Sequence, residues 1–226
     1  MSTPSGSAAK GGAKRPKSLA GSLIELAVIV GIALGLAVGI QAYVVKPYRI
    51  PSGSMEPTLK IGQRVLVNRV GMHFNGPHVG QIAVFHPPKG AEQAICGPSP
   101  HRVNPGSGAP CGQAVADKDS KVNFIKRIVA GPGDEIYVKE GHAFRKAAGA
   151  TQFVAEKDSY IAPCSPGSLP ECNFPTPIKV PPGYWFMMGD NRGHSDDSRF
   201  WGPVPTSWII GSAFATYWPL DRLGTL

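Results

Sequence analysis

At 226 residues, with Gly 28 and Pro 23, the chain suits one apolar anchor plus one well-cored domain and is too varied for a low-complexity protein. Its net charge of +8 gathers in an N-terminal tail, where Lys10, Lys14, Arg15 and Lys17 stand without an acid. The remaining charge is thinly spread and no nucleic-acid motif accompanies it, so no nucleic-acid partner is expected.

In chain order, residues 1–20 read as a small, polar, basic tail, with disorder expected over 1–18. Leu26 to Val45 then carries no charge, and at 1.5 Å per residue such a run crosses roughly 30 Å of hydrocarbon. The segment 21–45 is therefore expected to be one transmembrane helix. Basic residues on its N-terminal flank keep the tail cytoplasmic and send residues 46–226 across the membrane. The run exceeds the apolar core of a cleaved leader and no A-x-A-like site follows it, so an uncleaved anchor is favoured.

Beyond the anchor, alternation with branched apolar residues predicts a strand at 63–70, and runs of strand-forming residues predict others at 81–85, 122–129, 135–139, 184–188 and 212–218. Useful helical periodicity is absent outside the anchor. The fold class is mainly β: an antiparallel sheet domain with a smaller inserted β subdomain at 135–182. Residues 90–121, rich in Gly and Pro, read as a surface insertion. Cys96 with Cys111 and Cys164 with Cys172 form the simplest disulfide pairing, consistent with export to an oxidising compartment. Neither C-x-x-C nor H-E-x-x-H occurs, so no metal and no cofactor is expected.

The chemistry centres on Ile50-Pro51-Ser52-Gly53-Ser54-Met55-Glu56-Pro57-Thr58-Leu59. Two prolines exclude a helix interior or central strand, and a hydroxyl on a rigid loop suits a nucleophile. Ser, Gly and Pro are also ordinary turn formers, so this loop alone leaves both readings open. Histidines at 73, 78, 86, 101, 142 and 194 mark no local triad. A buried lysine is the other available base, because desolvation lowers its pKa. Strand alternation sets Lys126 between Phe124 and Ile128 on one face, with Ile125 and Arg127 on the other. The same pattern fits a lysine on the solvent face of an edge strand.

Four blocks, in order, resemble the bacterial type I signal peptidases, membrane-anchored Ser/Lys endopeptidases. They are Pro51-Ser52-Gly53-Ser54-Met55 with Pro57-Thr58-Leu59; Gly80 to Phe85; Lys126-Arg127 with Gly131-Pro132-Gly133-Asp134; and Gly189-Asp190-Asn191-Arg192 with Ser195, Asp197-Ser198-Arg199 and Trp201-Gly202. The resemblance implies Ser54 as nucleophile and Lys126 as general base. It implies Ser52 as an oxyanion donor beside the Ser54 N–H, and Ser195 as a hydrogen-bond partner orienting Lys126. Arg127 with Asp190, and Asp197 with Arg199, become structural ion pairs. Tyr48, Ile50, Met55, Leu59 and Ile125 become apolar walls of pockets for small side chains, although alternation sets Ile125 opposite Lys126.

The implied partners are preprotein signal peptides with small residues before the cut, membrane lipid and, as a candidate, the secretion translocon. The implied location is the bacterial cytoplasmic membrane, single-pass, with the catalytic domain outside. Three other readings remain: a relative dedicated to one conjugation or pilus precursor, a non-catalytic peptide-binding domain, and a hydrolase using His78 or His86. Residues 90–121 and 140–180 match the family pattern little, and His194 and Asp196 fall at positions the motif leaves variable.

Overall fold

A computed structural model describes residues 19–93, 96, 108–112, 122–164 and 172–226. The basic tail over 1–18, most of the expected insertion and the tip of the second cysteine loop lie outside the described residues. The chain divides between Gln41 and Ala42 into two units. Helix α1 (Leu19–Tyr43) fills most of the first and is apolar apart from Ser22, Glu25 and Gln41; its stretch Leu19–Ile40 is long and apolar enough to cross a membrane. The helix ends earlier than hydropathy implies. Val45 is already paired to Asn68 as the first residue of a strand, and an apolar side chain does not report that change of backbone.

In the second unit the strands are β1 (Val45–Arg49), β2 (Arg64–Asn68), β3 (Ile82–Phe85), β4 (Phe124–Ala130), β5 (Glu135–Lys139) and β6 (His142–Lys146). They continue as β7 (Val154–Ala155), β8 (Phe174–Lys179), β9 (Tyr184–Met188), β10 (Val204–Pro205), β11 (Ile209–Trp218) and β12 (Gly224–Thr225). Two short helices, α2 (Gly71–Asn75) and α3 (Ser198–Trp201), sit between strands. Neither is long enough to show a helical period in sequence. The larger sheet runs β1-β2-β11-β3-β4-β9-β10 with β12 beside β11, and a four-stranded sheet runs β7-β6-β5-β8. Every strand pairing is antiparallel.

Alternation along β3 and β4 sorts their side chains onto two cores. Phe85 lies opposite Phe124 and Ala83 opposite Lys126, on the face shared with Ile128. On the other face Val84 lies opposite Ile125 and joins Ile50, Met55, Leu59, Val65 and Val67. The first core continues through Ile136, Val138 and Phe174 of the smaller sheet to Met187 and Trp201. Strands β5, β6, β7 and β8 thus form a sheet of their own but share their core with the larger one. Truncating the fully buried Phe85 to Ala would cost about 3–5 kcal/mol.

Both cysteine pairs are bonded, Cys96 to Cys111 and Cys164 to Cys172. The described residues 108–112 of the expected surface insertion are tied into the domain. Cys111 is buried and donates its N–H to the Arg199 carbonyl at 2.8 Å, while Thr176 N–H of β8 reaches the Gly108 carbonyl.

Candidate active site

Ser54 sits in a one-turn 3-10 segment, Gly53–Met55, entered from Ser52 in an extended conformation. Its loop is closed at the base, where Ile50 N–H donates to the Gln63 carbonyl (2.8 Å) and Gly62 N–H to the Ile50 carbonyl (2.9 Å). Met55 and Leu59 anchor it in the second core at 0% exposure. With its backbone tied down and its neighbours packed, the Ser54 hydroxyl has a fixed direction.

That direction is toward β4. Lys126 Nζ and Ser54 Oγ are hydrogen-bonded at 2.6 Å, with the two residues 4% and 8% exposed. Burial drives the Lys126 pKa down to about 8, against the opposing pull of the carboxylates of Asp197, Asp196 and Asp190. The Phe124 ring, 5.8 Å from Nζ, forms part of the apolar surround. Ser52 Oγ lies 3.3 Å from Ser54 Oγ. The pair opens on a cleft of about 700 Å³ bordered by Ser52, Glu56, Glu92, Ile125, Asn191 and Asp196.

Ile125 and Lys126 point to opposite faces, as alternation requires, yet both border this cleft. The reason lies in the pairing of β4. Its partner β9 engages Arg127, Ile128 and Ala130, leaving the Phe124–Lys126 edge beside the cleft without a strand partner among the described residues. Of the five apolar residues expected as pocket walls, only Ile125 borders the cleft. Ile50, Met55 and Leu59 lie beneath it in the second core, and Tyr48 packs on that core from outside.

Two ion pairs stand behind Ser54 and Lys126. Asp190 accepts from Arg127 Nε (2.8 Å) and Nη2 (2.7 Å), and from Thr58 Oγ1 at 2.6 Å. Asp197 accepts from Arg199 Nε and Nη2, both at 2.8 Å, and from the Gly189 N–H at 3.0 Å. Burial alone would push the Asp197 carboxyl up, but the Arg199 charge and these hydrogen bonds hold it below the ordinary carboxylate range. Arg199 Nη2 also reaches the Ser195 carbonyl at 3.1 Å.

The expected bond from Ser195 to Lys126 is not formed. Nζ is committed to Ser54, and Ser195 Oγ is buried with no hydrogen-bond partner among the described residues. It lies over Gly189, where an added Cβ would fall 2.3 Å from Ser195 Oγ and 2.4 Å from the Ser54 carbonyl oxygen. Only glycine permits this approach.

Sequence reasoning gave no role to Asn191, which secures the serine turn through its N–H to Ser54 O (3.0 Å) and its Nδ2 to Gly53 O (3.1 Å). Its sequence signal is a polar side chain in the loop that follows strand 184–188. The cleft's histidine is the exposed His194; neither His78 nor His86 borders it. No cluster of metal-ligating side chains occurs among the described residues.

The family model for signal peptidase, peptidase S26, matches residues 23–218. The chain belongs to that family. It is 34% identical over 224 residues to signal peptidase I of Leptolyngbya laminosa, covering 99% of this chain and 93% of the relative. It is 36% identical over 195 residues to the probable signal peptidase I-1 of Synechocystis sp., covering 86% and 82%. A solved signal peptidase I from Enterococcus faecalis shares 20% identity, covers 60% of this chain and 95% of its own, and gives a TM-score of 0.33. Within this peptidase family, the chain carries a hydroxyl and a buried amine in direct contact at the edge of a cleft.

Proposed function

We propose that the protein is a serine endopeptidase that removes N-terminal signal peptides from exported preproteins, with Ser54 as nucleophile and Lys126 as general base. The observation that carries this reading is the 2.6 Å contact between Lys126 Nζ and Ser54 Oγ inside a buried pocket. A lysine with a pKa of about 8 is neutral in about one molecule in ten at pH 7, enough to accept a proton.

In the neutral form the Ser54 hydroxyl donates to Nζ. Lys126 takes that proton as Oγ bonds to the scissile carbonyl carbon, and the oxyanion accepts from the Ser54 N–H and the Ser52 hydroxyl. The lysinium then protonates the departing amine as the C–N bond breaks. A water gives a proton to Lys126 as its oxygen bonds to the ester carbon, and the lysinium returns that proton to Ser54 Oγ as the ester C–O bond breaks, restoring the serine. Substrate binds extended along the free Phe124–Lys126 edge of β4, a form of strand addition that would leave side chains from both faces within reach. Helix α1 anchors the chain in the bacterial cytoplasmic membrane, the basic tail marks the cytoplasmic side, and cleavage takes place on the opposite face. The family resemblance implies signal peptides with small residues before the cut.

The test is processing of a precursor bearing an A-x-A site by detergent-solubilised full-length protein, comparing the native chain with Ser54→Ala and Lys126→Ala. Each variant is expected to lose at least about 10³-fold in rate. Equal product from all three would refute the dyad.

A further inference from the structure

The segment 156–162 lies outside the blocks that carry the family resemblance, yet it supports the loop that faces Ser54. Arg192, whose side chain is 0% exposed, divides its donors among three elements. Nε donates to the Gly189 carbonyl (3.0 Å), Nη1 to the Gly141 carbonyl (2.6 Å) and Nη2 to Glu156 Oε2 (2.8 Å). The other Glu156 oxygen accepts from the Tyr160 hydroxyl. The Tyr160 ring in turn lies 3.8 Å from the Arg127 guanidinium, the group that grips Asp190.

The backbone repeats the connection. Ala162 N–H donates to the Asp190 carbonyl at 2.9 Å, and Arg192 N–H to the Ala162 carbonyl at 3.0 Å. The segment is itself held to β6, by Glu156 N–H to the Ala143 carbonyl (2.8 Å) and by the His142–Asp158 contact of 2.5 Å. Burial and the Glu156 carboxylate both push the Tyr160 pKa up, so its hydroxyl remains a donor at every working pH.

We propose that Glu156 and Tyr160 are positioning residues that hold the Gly189–Arg192 loop at the height the Ser54–Lys126 pair requires. The inference rests on reading that pair as the catalytic dyad. Gly189 has no free space on its Ser54 side, and Asn191 is bonded to the Ser54 carbonyl, so any shift of the loop passes directly to the nucleophile. Glu156 supplies the one carboxylate that meets the buried Arg192 guanidinium, whose other acceptors are neutral carbonyls.

The experiment measures kcat, KM and Tm of the full chain in detergent, on an A-x-A precursor peptide, for Ser54→Ala, Glu156→Gln, Tyr160→Phe, Tyr160→Leu and the Glu156→Gln/Tyr160→Phe double variant. Misplacing a reacting group by a fraction of an ångström predicts a fall in kcat of about 10-fold for Glu156→Gln and for Tyr160→Leu, with KM within about two-fold. Tyr160→Phe keeps the ring on Arg127 and should fall by only about three-fold, and the double variant should match Glu156→Gln because both delete one hydrogen bond. Native kcat in folded Glu156→Gln and Tyr160→Leu, with only Tm lowered, would overturn the inference. Should Glu156→Gln fail to fold, native kcat in Tyr160→Phe and Tyr160→Leu together would do the same. Activity retained by Ser54→Ala would instead overturn the dyad itself, so the two failures are distinguishable.

Discussion

The surround of Ser54 and Lys126 and the Glu135–Lys146 pair of the four-stranded sheet handle charge in opposite ways. Around Ser54, the residues Lys126, Asp190, Asp197 and Arg199 are each at most 4% exposed, and every one has a charged or hydroxyl partner. On the smaller sheet the Glu135–Lys146 pair keeps 35% and 25% of its side chains in water. Burying an ion costs several kcal/mol that its partner only partly restores, whereas a solvated pair costs little and contributes little. The contrast separates charges held for geometry from charges that merely decorate a surface. The cost is accepted around Lys126, the base of the proposed mechanism.

Three substitutions sharpen that contrast. Asp197→Asn leaves the Arg199 guanidinium buried without its counter-charge and is expected to destabilise the fold by about 3–5 kcal/mol, read by equilibrium denaturation. A change below about 1 kcal/mol would show that the buried pair behaves like a surface one.

Lys126→Met acts in the opposite direction. Because the folded-state pKa is depressed from 10.5 to about 8, protonated Lys126 costs the native fold about 3 kcal/mol at pH below 8. The cost shrinks as pH rises from 8 to 10.5, where the unfolded chain still binds the proton and the native one does not. On the proposed mechanism Lys126→Met should therefore be inactive yet more stable at pH 7, with the gain nearly gone by about pH 11. An unchanged or lowered stability at pH 7 would mean that the amine is not desolvated. On the smaller sheet, Lys146→Ala should change stability by less than about 1 kcal/mol and lose even that in high salt.

Much of this arrangement is legible in the sequence, for stateable reasons. Strands β2, β3, β4, β5, β9 and β11 announce themselves because branched and aromatic residues run along them. Strand β1 does not, since Pro47 interrupts it, and proline is tolerated there because β1 is an edge strand paired only with β2. Strand β8, Phe-Pro-Thr-Pro-Ile-Lys, hides behind two prolines at the edge of the other sheet. At the site, Ser54 was visible as a hydroxyl on a constrained loop and Lys126 as an amine between apolar neighbours. The bond from Thr58 to Asp190 spans 132 positions, and nothing local announces it. The same holds for Ser195. Its place in a motif suggested a bond to Lys126, but motif spacing does not report which way a hydroxyl turns.

The most direct measurement is the pH dependence of kcat/KM for precursor cleavage by the full-length native chain. Activity that rises with pH through a single acidic limb centred near 8 is the predicted result, because only the neutral Lys126 amine accepts the Ser54 proton. A limb centred near 6.5, the ordinary range of histidine, or one near 10.4, that of a solvated lysine, would contradict the account.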